Sequence, residues 1–343
     1  MIHETKYGEH DGKALMVYRL ENQKGHYVEV INYGARITAI CVPDREGQLG
    51  DVVLGMPTLD SYLQGRPYHG STVGRYANRI KLGRFTLNGI QYQVDCNNFE
   101  NHVHGGFEGF DRKVWDSTIE NGTVKLHYVS PDGECGYPGN LDTTVTVSFS
   151  EDDGLTLDYQ AVCDADTVIN LTNHSFFNLS NEDTILNHQV QILADCYTPI
   201  DSKAIPTGEI APVEGTPFDF RQTHRVGDRV GEDNAQLSYG HGGYDHNYVL
   251  NGTGMRECAR VYAPDTGRTM AVITDKPGLQ FYTGNSISNV AGKNGAVYGH
   301  YCGMCLEAQF FPDSPNHSNF CDCVLKKGEV YHYTTVYQFG VEK

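Results

Sequence analysis

Alternation with a period of two dominates the chain. In TTVTVSF (143–149), Val145, Val147 and Phe149 fall on one face and Thr144, Thr146 and Ser148 on the other. LTLDYQA (155–161) repeats the pattern with Leu155, Leu157, Tyr159 and Ala161. Between them SEDDG (150–154) supplies turn residues, so a hairpin is predicted. FTL-NG-IQYQV (85–94) predicts a second hairpin, because Asn88-Gly89 accepts the positive φ angles of a two-residue type I′ turn. Similar short runs at 14–20, 27–33, 35–42, 123–129, 167–173, 189–193, 257–263, 269–274 and 330–337 predict further antiparallel strands. Helical periodicity is confined to TLDSYLQG (58–65) and a turn or two near 225–235. The expected class is all-β with few short helices. No low-complexity linker or clean internal repeat interrupts the strands, so residues 1–343 are expected to form one large domain.

Composition narrows the function more than the fold. A formal charge of −17 with no Lys/Arg-rich stripe argues against nucleic acid and anionic membrane surfaces as partners. The N-terminus lacks a basic segment followed by an apolar run, and no apolar stretch approaches the ~18 residues of a membrane span; a cytoplasmic location is expected. Ten cysteines in 343 residues is sparse for a disulfide scaffold. Cys302, Cys305, Cys321 and Cys323 come near zinc-ribbon spacing, but Cys302 and Cys305 sit in an extended run where positions three apart face opposite ways, which favours free core thiols. Phosphate-binding loops of the G-x-x-x-x-G-K-[ST] type, dinucleotide-binding βαβ units and the G-x-S-x-G elbow are absent from the sequence.

Potentially reactive residues gather in five short segments that read as strand ends and loops: VGRYANRI (73–80), NHVHGG (101–106), LTNHSFFNL (171–179), GYDHNY (243–248) and CLEAQFFPDSPN (305–316). His174 lies among Asn173, Phe176 and Phe177, either a core histidine bonded to a carbonyl or a proton-transfer group tuned by aromatic walls. Glu307 alternates with Leu306 and Ala308 beside Phe310-Phe311-Pro312, either a solvated strand residue or a base next to a dry wall. Arg79 offers a fork of donors to hydroxyls or to a carboxylate. In GYDHNY, Asp245 is a hydroxyl acceptor and Tyr244 a candidate platform, or the segment is an Asx-type turn. His102 and His104, at i and i+2, would share a strand face and could hold one metal, although the following Gly105-Gly106 favours a loop that approaches a ligand closely.

Taken in order, GRYANRI (74–80), HGGFEGFD (104–111), GYPGNL (136–141), LTNHSFFNL, GYDH (243–246), LQFYTGN (279–285) and LEAQFFPDSPNH (306–317) closely resemble the aldose 1-epimerase (galactose mutarotase) family. Each motif alone is weak; the ordered set is specific and spans the chain. The resemblance implies a large antiparallel β-supersandwich, no cofactor and no metal, and interconversion of the α and β anomers of free hexoses such as galactose and glucose. By matching position it implies His174 as general acid and Glu307 as general base, with Asn78, Arg79, His104, Asp245 and Gln280 binding the sugar. His102 falls outside the matched motif and receives no role. The family usually has Tyr where this chain has Phe176, which bears on substrate preference rather than on the reaction.

The residue types suit that chemistry independently. Opening a pyranose needs a base at the anomeric hydroxyl and an acid at the ring oxygen, and a carboxylate with an imidazole supplies both. Three other readings compete: a hexose-6-phosphate mutarotase, a non-catalytic sugar-binding protein, and a cupin-like metalloenzyme built on His102 and His104. The expected partner is a monosaccharide, and the expected assembly a monomer or homodimer.

Overall fold

The computed structural model describes residues 1–65 and 68–342. Strand formation follows the alternation closely. Leu141–Phe149 and Gly154–Cys163 pair antiparallel around the SEDDG turn, with Val145 opposite Tyr159 and Val147 opposite Leu157. Asn88 and Gly89 adopt φ of 52° and 76° between Arg84–Leu87 and Ile90–Gln93, as a type I′ turn requires.

Two sheets organise the molecule around the site. The larger has nine strands in the order Asp116–Glu120, Thr123–Ser130, Leu141–Phe149, Gly154–Cys163, Val330–Val341, Arg268–Thr274, Arg256–Tyr262, Gln189–Ile192 and His224–Arg225. The smaller has five, in the order Ala211–Pro212, Cys196–Thr198, Asp245–Val249, Gly278–Tyr282 and Cys305–Gln309. Pairing within both is antiparallel throughout. A further five-stranded sheet runs in chain order from Ile2–His10 to Leu49–Asp51. The main core joins Val145, Leu157 and Tyr337 of the large sheet to Leu279, Phe281, Leu306 and Ala308 of the smaller one, and Tyr337 Oη donates to the Leu306 carbonyl at 2.9 Å. The all-β expectation holds: the α-helices among the described residues are Leu59–Gln64, capped by Thr58, and Ala235–Tyr239, capped by Asn234.

Two local expectations are corrected and one is met by a single turn. Residues 167–173 do not form one strand: Thr167–Val168 and Thr172–Asn173 pair separately. Between them the Asn170 and Leu171 amides bond the Arg75 carbonyl and Tyr331 Oη. Near 225–235 the structure has a single 3₁₀ turn, Val226–Asp228, and the helix begins later, where Asn234 can accept from the Gln236 amide. GYDHNY is not a strand end or loop; it supplies most of Asp245–Val249, an interior strand of the smaller sheet.

Candidate active site

The smaller sheet carries two opposite faces. Its register aligns Asn247, Gln280 and Glu307 across three strands, with Asp245, Tyr282 and Cys305 in the next row on the same side. The other side, with Tyr248, Leu279, Phe281, Leu306 and Ala308, enters the main core. Amphipathic strands therefore set a polar face at the floor of a cleft of about 360 Å³, within the usual range for a small-molecule site. Its walls include Tyr68, His69, Asn78, Arg79, His104, His174 and Phe176.

His174 is fixed by backbone on both sides: its amide donates to the Ser71 carbonyl at 2.9 Å and its carbonyl accepts from the Gly70 amide at 2.8 Å. Gly70 is required there, since it has φ of 72° and an added Cβ would lie 1.8 Å from the Ile37 carbonyl oxygen. The imidazole packs among Tyr68, Phe176 and His104, with ring centroids 5.7, 5.0 and 5.1 Å away. Its Nε2 lies 3.6 Å from Glu307 Oε1. Burial pulls the imidazole pKa down to about 4, the Arg36 charge adding to the effect.

Glu307 is 2% exposed, so the solvated-strand reading does not hold. Burial, then repulsion from Asp245, pushes its carboxyl well above the usual range, while Arg79 opposes that rise. Desolvation thus disfavours the charged form of both the imidazole and the carboxyl.

The other expected residues gather around this pair. Arg79 Nη1 lies 3.7 Å from Asp245 Oδ2, and Gln280 Nε2 donates to Asp245 Oδ1 at 2.7 Å. Asn78, Arg79, His104 and Asp245 line the cleft; Gln280 lies behind its surface, holding Asp245 in place. The Asn78 amide donates to His104 Nδ1 at 3.1 Å, so that nitrogen is an acceptor and the ring proton sits on Nε2, a donor suited to a hydroxyl. His104 and Gly105 hold φ of 50° and 86°, and a Cβ on Gly105 would lie 1.7 Å from the Gly74 carbonyl oxygen.

His102 does not share a face with His104. It is fully buried, with Nδ1 2.7 Å from the Asp95 carbonyl and Nε2 2.6 Å from Tyr137 Oη. Tyr244 is no platform: it is buried and donates to the Pro217 carbonyl. The four clustered cysteines separate, Cys302 and Cys305 packing with Phe176 and Tyr298, Cys323 in the main core and Cys321 beside Ser314. Among the described residues, a metal-compatible grouping is formed by His174, Cys305 and Glu307, the buried imidazole and carboxyl with their neighbour.

Sequence reasoning missed Tyr68, His69, Asn98, His241, Tyr282 and Ser286 as lining residues. His241 had a signal, since His241-Gly242-Gly243 repeats the His104-Gly105-Gly106 triplet. His69, stacked 4.5 Å from Phe176, had none beyond the neighbouring Gly70.

Comparison with known proteins gives the family. The family model described as aldose 1-epimerase matches residues 16–338. A galactose mutarotase of Mus musculus is 45% identical over 318 residues, covering 92% of this chain and 91% of that one. An aldose 1-epimerase of Escherichia coli K12 is 35% identical over 348 residues, covering 100% of both. The crystal structure of galactose 1-epimerase from Lactobacillus acidophilus superposes with a TM-score of 0.89 at 31% identity, covering 100% of this chain and 99% of that one. The chain belongs to the aldose 1-epimerase family.

Proposed function

We propose that this enzyme interconverts the α and β anomers of a free aldose, galactose foremost, with His174 as acid and Glu307 as base. The single observation that carries the reading is the 3.6 Å approach of the His174 imidazole to the Glu307 carboxyl in a cleft walled by hydroxyl-binding side chains. Glu307 takes the proton of the anomeric hydroxyl while His174 Nε2–H protonates the ring oxygen; the C1–O5 bond breaks and the C1=O1 bond forms. Rotation about C1–C2 turns the other carbonyl face to O5. Closure then returns one proton from Glu307 to O1 and one from O5 to His174. Asn78, Arg79, His104 and Asp245 hold the remaining hydroxyls still, which keeps C1 between the two groups.

The phosphosugar alternative is disfavoured by charge. Among the described lining residues Arg79 is the one Lys or Arg, it faces Asp245, and Glu307 adds a second carboxyl. A dianionic phosphate asks for more cationic contacts than that. Residues 1–343 acting as one domain, a cytoplasmic site of action and a monomeric or homodimeric assembly complete the proposal; no helix among the described residues is long and apolar enough to cross a membrane.

Polarimetry of freshly dissolved α-galactose tests the function. The protein should speed the decay of optical rotation to its anomeric equilibrium, and galactose 6-phosphate should be a poorer substrate. A protein that binds galactose yet leaves the decay at its spontaneous rate is a sugar-binding protein, and the proposal fails.

A further inference from the structure

Behind His174 lies a group that the acid–base scheme does not use. Cys305 Sγ is 3.4 Å from His174 Nδ1, within reach of a sulfur hydrogen bond. Cys305 is fully buried and sits two residues before Glu307 on one strand, so both side chains project from the same face. One strand therefore meets the imidazole at both nitrogens, sulfur at Nδ1 and carboxyl at Nε2.

We propose that Cys305 is a positioning residue: its sulfur accepts a hydrogen bond from His174 Nδ1–H and aims Nε2 at Glu307 and the reacting sugar, without placing a charge behind the ring. The inference rests on the role given to His174 above. In that scheme the mobile proton is the one on Nε2, so Nδ1 keeps its own throughout and needs an acceptor. Two acceptors face it, the Cys305 sulfur and the residue's own carbonyl. Burial holds the thiol well above its usual range, so the sulfur stays uncharged.

The choice of a neutral partner has a chemical consequence. A carboxylate at Nδ1 would stabilise the imidazolium and raise its pKa by about one to three units. Sulfur fixes the same tautomer with little such gain, leaving His174⁺ a strong acid toward a weakly basic ring oxygen. The groups facing the ring are Glu307 and Cys305 from the strand, Tyr68 and His69 from the segment before it, His104, and Phe176, with Arg36 acting at longer range. The one carboxyl among them, Glu307, stands at Nε2 rather than Nδ1.

The test combines three substitutions at Cys305 and one at His174 with a measurement independent of turnover. Cys305→Ala should lower kcat by roughly tenfold or more with KM moved less than about threefold, because the ring loses its orientation while the sugar contacts remain. Cys305→Ser should restore kcat to within a few-fold. Cys305→Asp should move the acid limb of the pH–kcat profile upward by about one unit or more. Nitrogen NMR of histidine-labelled wild type at neutral pH should show His174 as the Nδ1–H tautomer, and as a mixture in Cys305→Ala. An Nε2–H tautomer in the wild type, or an unchanged kcat and pH profile in Cys305→Ala, overturns the inference. If Cys305→Asp does not fold, the tautomer alone decides. His174→Asn separates the two levels: an unchanged rate sinks the acid–base reading itself. A lost rate beside an unaffected Cys305→Ala sinks only the part given to Cys305.

Discussion

Replacing Glu307 with glutamine should make the protein more stable and almost inactive. The carboxyl is 2% exposed and its Oε2 has no hydrogen-bond partner among the described residues. Burial, with Asp245 near, makes its ionised form unfavourable. A neutral amide of nearly the same shape removes that electrostatic burden. Relieving a poorly compensated buried carboxylate is expected to stabilise the fold by about 1 kcal/mol. The catalytic effect runs the other way. Glutamine cannot take the anomeric proton, and loss of a positioned base costs about 10²- to 10⁴-fold in rate, or about 3 to 5 kcal/mol of barrier. Arg79, His104, Asn78 and Asp245 are untouched, so galactose affinity should change only a few-fold. Polarimetric initial rates, corrected for the spontaneous reaction, read kcat and KM; urea unfolding reads stability. A variant within tenfold of the wild-type kcat would refute the assignment of Glu307 as base. A variant both inactive and markedly less stable would instead mean that the carboxylate is a structural element, contrary to its unpartnered oxygen.

Further outcomes follow from the same geometry. The pH–rate profile should be bell-shaped: activity falls at low pH as His174, held down to about 4, gains a second proton for the pair, and falls again when Glu307 loses the last one above its usual range. Asp245→Asn should move that upper limb downward, because Asp245 is the charge that helps raise Glu307; an unmoved limb would reject this origin. Gly105→Ala places a Cβ against the Gly74 carbonyl and should cost well over 2 kcal/mol in urea unfolding. Gly89→Ala, also at positive φ but with nothing within 4 Å, should cost only about 1 to 2; equal costs would contradict the steric account. Fold stability should also drop in acid. Burial lowers the pKa of His246 to about 3 and of His188 to about 4, and each already accepts a backbone N–H, from Asp245 and Leu179. Their folded values lie below the unfolded one near 6.5. Their contribution is therefore intact above that pH and is lost as pH falls toward the folded values, about 2 kcal/mol each by pH 5. Urea midpoints that do not change between pH 8 and pH 5 would exclude it.

The parts of the molecule legible in the sequence are those where one face of a strand meets water. TTVTVSF and LTLDYQA alternate because the other side of the large sheet is solvated, and their register could be read off directly. The strands that build the site carried a weaker signal for a physical reason. In CLEAQ every residue is buried, and in GLQFY all but the last are, since the polar face lies against the floor of a cleft rather than against solvent. Asp245 therefore read as part of a strand end or loop, Gln280 was placed by its motif alone, and the alternation of Glu307 with Leu306 and Ala308 left its burial open. The opposite failure occurs at Ile2–His10, an edge strand exposed along most of its length, whose polar sequence has no buried face to announce it. Motif order could name His174 and Glu307, but not their separation, nor the thiol at Nδ1, because those depend on strand register between segments more than 130 residues apart. It is the register pairing Gln280 with Glu307, and the Gly70 turn that pins His174 above them, that brings two side chains distant in sequence within 3.6 Å. A one-residue slip of Cys305–Gln309 would send Glu307 into the main core and bring Leu306 or Ala308 to the cleft. The proposed reaction thus depends on β-pairing as much as on the identity of the two groups.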